Sequence, residues 1–284
     1  VQLYPAVAPQ RIAVSSTAVY WTTASAIQKV NLAGPAMFAT SPLTPSVLHD
    51  VAVNSAGAPF VATPTPTKAF AGCTSDLTTC SPYYGVDSTT ITTSITVDTT
   101  TVYVGLSDDG FGAGVGGINT ATFVGTTPAS YLVNEHVLDL RLTSANTKTY
   151  WRVAGAIHYG DKGSSVWPAV TIPGVPNAFF IYQDQLIAAT TGQTIYTCTL
   201  ASTGDCAGGT TRSIGAAKMP VTAVVADANG IYWIEGGANG SVVRCKGSSC
   251  DVIATNQASP TDIALDATNV YWSNDGGGIM KRGR

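Results

Sequence analysis

Six cysteines carry the clearest chemistry in this chain, and they fall in three close pairs: Cys73/Cys80, Cys198/Cys206 and Cys245/Cys250. Close thiols either hold a metal or lock as disulfides. Zinc needs four ligands converging on one point, usually from Cys-x₂₋₄-Cys spacing. Two of these gaps are longer, and the pairs lie far apart in the chain. Six cysteines allow 15 pairings, but all three pairs fall at one place of an internal repeat, which selects the local pairing. Antiparallel partners across a turn lie close enough for the Cα separation a disulfide requires. Three local disulfides imply an oxidising compartment: the medium, the cell surface or the periplasm.

A second set is charged. Arg11, Asp50, Asp139 and Asp262 share one position of the repeat, alongside Ser94, Ala178 and Ala223. If the repeat units close into a ring of sheets, these residues open the inner strands and surround the mouth of a central channel. Arg11 would then anchor a carboxylate or sugar hydroxyl, and the aspartates would accept hydrogen bonds or hold Ca²⁺. A solvated ring with an Arg–Asp pair fits the same residues. Asp108 and Asp109 stand in a Gly-rich loop, Ser107 to Gly114. Calcium favours oxygens on flexible backbone, but the spacing is not that of an EF-hand, and an acidic turn is the other reading. His158, Tyr159 and Asp161, followed by Trp167, form the loop richest in polar and aromatic groups, the expected recognition surface. Glu235, Asn274 and Asp275 occupy matching loops further on.

Catalysis finds little support. Of His49, His136 and His158, only His136 has an acidic neighbour, Glu135, and adjacent strand residues point to opposite faces. There is no Gly-x-Ser-x-Gly elbow, no His-Glu-x-x-His and no phosphate loop. The enzymatic alternative is a metal-assisted lyase or hydrolase at the channel mouth, drawing on Asp50, Glu135, His136, Asp139 and Asp262. The sequon Asn239-Gly240-Ser241 matters only in a eukaryotic secretory host.

The elements behind these residues come from the repeat. Arg11-Ile12-Ala13-Val14 leads to Val19-Tyr20-Trp21, and Asp262-Ile263-Ala264-Leu265 leads to Val270-Tyr271-Trp272. Further copies carry landmarks at Phe60, Val104, Trp151, Leu186 and Trp233. The mean step is about 42 residues, the period of a four-stranded propeller blade. Short β-branched and aromatic runs between Gly, Asn and Asp turns are all-β signals. The expected fold is one domain over residues 1–284, an all-β, seven-bladed propeller of four-stranded blades. A six-bladed form stays open, because the copy at Leu186 is poor. The N-terminal strand is expected to close the last blade and so remove an open edge. Adjacent Tyr and Trp rings point to opposite faces of a strand, so their recurrence reads as packing between blades.

Composition excludes some classes. Charged residues are 11% of the chain and the net charge is −3, so nothing electrostatic favours nucleic acid or an anionic membrane. No run approaches a transmembrane helix. No signal peptide is visible, so a secreted protein is expected to be present in its mature form.

The phrases IALDATNVYWSNDGGGIMK and VVADANGIYWIEGGANGSVVRCKGSSC resemble the repeats of secreted bacterial YWTD/NHL-like β-propellers, among them uncharacterised extracellular propellers of myxobacteria. In those, a Cys pair often follows the Tyr-Trp strand. The resemblance implies the fold and an extracellular location and transfers no catalytic residue. An antibiotic lyase family of seven-bladed propellers is similar in repeat style, but its paired histidines and glutamate have no place here. The function expected is a non-enzymatic binding or structural module at the cell surface. Its partner would be a protein, a carbohydrate or further copies of itself.

Overall fold

The structure is a computed structural model that describes residues 1–33, 38–42, 48–65, 68–83, 90–108, 116–122, 129–131, 135–143, 148–161, 167–247 and 249–284. Seven antiparallel sheets follow one another as the blades of a β-propeller. Blade 1 holds Ile12–Val14, Ala18–Thr22, Ala26–Asn31 and Phe38–Pro42; blade 2 holds Asp50–Val53, Pro59–Thr65, Lys68–Cys73 and Cys80–Tyr83. Blade 3 holds Thr90–Val97, Thr101–Asp108, Gly117–Thr122 and Ala129–Tyr131. Blade 4 holds Asp139–Leu142, Lys148–Arg152 and Ile157–Asp161, and the chain near Ala169 bridges to His158. Blade 5 holds Pro176–Tyr182, Gln185–Thr190, Thr194–Thr199 and Arg212–Ala216; blade 6 holds Val221–Asp227, Gly230–Glu235, Gly240–Lys246 and Ser249–Gln257. Blade 7 holds Pro260–Leu265, Asn269–Asn274 and Gly278–Gly283, and its outer strand is Gln2–Tyr4 from the N-terminal segment. Among the described residues the only helical turn is Ala207–Gly209.

The chain divides into two compact units. One is Ala8–Leu140; the other is Arg141–Arg284 together with Val1–Val7. Blades 1 to 3 build the first and blades 4 to 7 the second, with the opening strand of blade 4 crossing the division.

The turn between first and second strands is made by a side chain five residues before the tyrosine. Asp98 Oδ1 accepts the N–H groups of Thr100 and Thr101, and Asp266 Oδ1 those of Thr268 and Asn269. In each case Oδ2 accepts the tyrosine hydroxyl, Tyr103 at 2.9 Å and Tyr271 at 2.6 Å. Ser15 builds the same turn. Tyr20, Tyr150, Tyr232 and Tyr271 are fully buried, as are Trp21, Trp151, Trp233 and Trp272. The two rings of a pair serve different interfaces. Tyr232 packs with Ile263 and Trp272 of the next blade, while Trp233 packs with Ala178, Ile187 and Ile195 of the previous one. Each aromatic pair thus buries one large ring on each face of its blade.

Two landmarks shift on inspection of the register. Phe60 pairs with Ala52 as Tyr20 pairs with Ala13, so Phe60 takes the tyrosine place and Val61 the tryptophan place. The poor copy at Leu186 is a complete four-stranded blade, with Ile187 at the tyrosine place and Ala188 at the tryptophan place, so the count is seven. Its first hairpin turns through Gln183 and Asp184, with φ of 45° and 59°. That is the left-handed pair a two-residue hairpin needs, usually supplied by Asn-Gly.

Candidate functional site

The first strands carry a recurring device. Register slips immediately before Ser94, Ala178, Ala223 and Asp262. Each slip leaves one residue out of the ladder, and a bulge re-aims that side chain. The residues are Thr93, Asn177, Thr222 and Thr261. Thr93 Oγ1 donates to the carbonyl of Val137, Asn177 Nδ2 to Val221 O at 2.9 Å and Thr222 Oγ1 to Pro260 O at 3.4 Å. Each acceptor lies at the entrance of the following blade. Arg11 does the same by charge: its Nε donates to His49 O at 3.4 Å, a step of 38 residues, as from Thr222 to Pro260.

The aspartates of the expected channel mouth bond to backbone. Asp50, Asp139 and Asp262 each accept the N–H of the next residue, at 2.9, 2.8 and 2.9 Å. Asp50 goes further: its Oδ2 accepts the N–H of Ile95 in blade 3 at 3.0 Å. One carboxylate therefore ties two first strands together. His49, half-buried beside Arg11, is held below the usual histidine range, first by burial and then by the guanidinium. His136 is exposed, with Nδ1 3.1 Å from Ser107 Oγ, and Glu135 is half-buried. Among the described residues no three His, Cys, Asp or Glu side chains come together as a group able to hold a metal ion. Asp108 ends the second strand of blade 3, and Asp109 lies outside the described residues.

The expected recognition loop of blade 4 is a strand. His158, Tyr159 and Asp161 belong to Ile157–Asp161. A third strand and its exit lie at the opposite end of the blade from the opening residue: Asp161 pairs with Lys148, which stands beside Thr143 at the far end of the strand that Asp139 opens. The two candidate sets therefore occupy two ends. At this second end the Lys148 ammonium meets Asp161 at 2.8 Å. Trp167 sets its edge against Trp151 at 6.4 Å and covers Gly160, where a Cβ would come within 2.9 Å of the indole. His158 packs edge-on to Trp151 as well. Tyr159 is buried, stacked on Tyr150 with ring centres 5.6 Å apart. Burial raises both phenols, and for Tyr150 the Tyr159 ring and nearby carboxylates add to it.

The next blade completes this patch through its disulfide loop. Cys73–Cys80, Cys198–Cys206 and Cys245–Cys250 are all bonded, with Cα separations of 4.0, 5.5 and 4.0 Å. Each loop joins the third strand of its blade to the fourth. Gly204, at φ 109°, lies flat on the Tyr159 ring, and its carbonyl accepts the Tyr150 hydroxyl at 2.8 Å. Asp205 accepts the N–H and hydroxyl of Thr171. Blades 1 and 2 repeat the arrangement: Tyr20 donates to Ser75 O at 2.8 Å inside the Cys73–Cys80 loop. The sequence separations, 55 and 54 residues, are nearly equal. That offset is the signal by which the contact was legible, and reading the tyrosines as packing alone misses it. Within the same loop Thr74 Oγ1, Thr78 N–H and Thr78 Oγ1 all donate to Asp76, pulling its carboxyl down to about 2.

Glu235 and Asn274 do occupy matching places, both buried at the ends of second strands. Glu235 accepts Lys218 N–H at 2.9 Å and Ser241 Oγ at 2.6 Å, which commits the hydroxyl of the sequon. Asn274 Nδ2 and Trp272 Nε1 share Gln257 Oε1. Asp275 is exposed.

With this geometry in place, the chain can be set beside known proteins. No protein-family model matches it, and no curated protein matches it in sequence. Solved structures match by fold. Virginiamycin B lyase from Staphylococcus aureus superposes with a TM-score of 0.73 at 18% identity, over 97% of this chain and 94% of that one. The WD40 β-propeller domain of Doa1 gives 0.76 at 12% identity, over 99% and 94%. A propeller in the nidogen/laminin complex gives 0.58 at 11% identity, over 79% and 88%. The likeness at these identities is one of fold. It spans an enzyme and proteins in complexes, so it leaves the activity open.

Proposed function

We propose that this protein is a non-enzymatic binding and assembly module that works outside the cytoplasm, at the cell surface, in the medium or in the periplasm. The observation that carries the reading is the use of the Asp50 carboxylate. Both its oxygens hold backbone N–H groups, Val51 and Ile95, and Asp139 and Asp262 make the first of these contacts too. A general acid or base needs its carboxylate to face a substrate; the Asp50 carboxylate is employed in joining two first strands. Recognition falls to the other end of the blade, where Tyr159 adjoins the Cys198–Cys206 loop and His158, Asp161 and Trp167 stand on the same strand and over it. A rigid, disulfide-stapled rim with a half-buried indole suits a protein or carbohydrate partner. Three disulfides support an oxidising compartment. Among the described residues no helix is long and apolar enough to cross a membrane.

The competing reading is a metal-assisted lyase or hydrolase, prompted by the fold it shares with virginiamycin B lyase. Elemental analysis of the dialysed protein separates the two. The binding module is expected to carry no stoichiometric divalent ion. A stoichiometric Ca²⁺, Mg²⁺ or Zn²⁺ lost in both Asp50→Ala and His136→Ala would overturn it and place a metal site among the first strands.

A further inference from the structure

Blade 7 is closed by a strand that is weakly held. Gln2–Tyr4 contributes no buried side chain. It is fixed by paired bonds between Val1 and Lys281, at 2.9 and 2.8 Å, by the Gln2 side-chain amide donating to Gly277 O at 2.5 Å, and by a short ladder, Gln2 to Met280 and Tyr4 to Ile279, interrupted by an irregularity. Ile263, Val270, Tyr271, Trp272 and Ile279 are buried, and all belong to the three C-terminal strands. When Gln2–Tyr4 leaves, Gly278–Gly283 becomes an open edge, a ready template for another strand.

The segment behind this strand is built to let go. Pro5 and Pro9 stiffen it, and Ala8 lies at φ 44°. A left-handed alanine is disfavoured because its Cβ crowds the next carbonyl. Extending the segment relieves that strain.

We propose that Gln2–Tyr4 exchanges between two copies of this chain, each lending the strand to blade 7 of the other. The fit is exact in chemistry because the edge receives the segment it already pairs with, and a two-fold exchange closes without further growth. The inference rests on the assembly side of the reading above. The two fail separately, because exchange leaves the residues around Trp167 untouched.

The test uses two single variants, Gln2→Cys and Met280→Cys, since these positions face each other across the ladder. They are mixed, concentrated, diluted and gently oxidised, then run without reductant and mapped by mass spectrometry. Exchange predicts a mixed dimer joined by residue 2 of one chain and residue 280 of the other. Monomers alone, or dimers with no such link, overturn it. Should either variant fail to fold, the unaltered chain decides by light scattering over a concentration series. A dimer growing with concentration, and falling about fivefold in Ala8→Gly, supports exchange. A monomer at every concentration, or a dimer indifferent to Ala8→Gly, overturns it.

Discussion

Asp50 has two backbone donors on one carboxylate, and they belong to different blades. Removing the carboxylate strands both N–H groups, at about 1–3 kcal/mol for a buried donor left without an acceptor. Asp50→Ala is therefore expected to lower the urea midpoint markedly, while Asp161→Ala, which removes an ion pair whose carboxylate is largely exposed, should cost under about 1 kcal/mol. Equal losses in the two would mean that the Asp50 contacts carry no special weight. His49 gives a pH signature. Its folded pKa lies below the ordinary 6.5, with burial the larger cause and Arg11 the smaller. The unfolded chain then takes up the proton first as pH falls, so this contribution is whole above about 6.5 and declines below it. Arg11→Gln should raise the His49 pKa part of the way, leaving the effect of burial, as an NMR titration of the ring will read. No rise would remove Arg11 from the account.

Strands are the scale at which the sequence was most readable, and the exceptions have physical causes. The Tyr-Trp pairs placed four second strands because each pair is both an alternation signal and a packing unit. Blade 5 has no such pair. Its Ile187 and Ala188 stand at those two places, and its hairpin uses Gln183-Asp184, held by Leu200 N–H on Asp184 O at 2.7 Å. A tertiary bond thus supplies what local turn chemistry usually signals. The bulges before Ser94, Ala178 and Ala223 left no spacing rule to read, because their side chains bond to the next blade. His158 to Asp161 looked like a loop for its glycine and charges, yet Lys148 and Trp167 cover that edge and keep it extended. Between elements, the disulfide loop and the preceding tyrosine should be coupled. A loop of this size contributes about 2–3 kcal/mol on the chain-entropy view, and the Tyr150 hydroxyl about 1 kcal/mol. In a double-mutant cycle of Tyr150→Phe against Cys198→Ser with Cys206→Ser, the tyrosine change should cost less once the loop is unlocked. Strict additivity would show that Gly204 holds its place without the bond.

Across the whole molecule the three disulfides were assigned from their equivalence in the repeat, and all three formed. What sequence could not show is how unequally they are protected. Cys250 is exposed, Cys80 is half-buried, and Cys198 and Cys206 are both buried, at 6% and 3% exposure. A thiolate must reach a sulfur along the bond axis to displace it, so access governs the rate when the chain stays folded. Dithiothreitol under native conditions should therefore open Cys245–Cys250 first, Cys73–Cys80 next and Cys198–Cys206 last, as timed alkylation and peptide mapping will resolve. The three together hold stability comparable to that of an ordinary domain, about 5–15 kcal/mol. The melting temperature should thus fall in steps, with the steepest loss at Cys198–Cys206, where the loop also seats Tyr150 and Tyr159. If all three bonds instead open at one rate, reduction is waiting on global unfolding, and the loops give the folded molecule no graded response to a reducing environment.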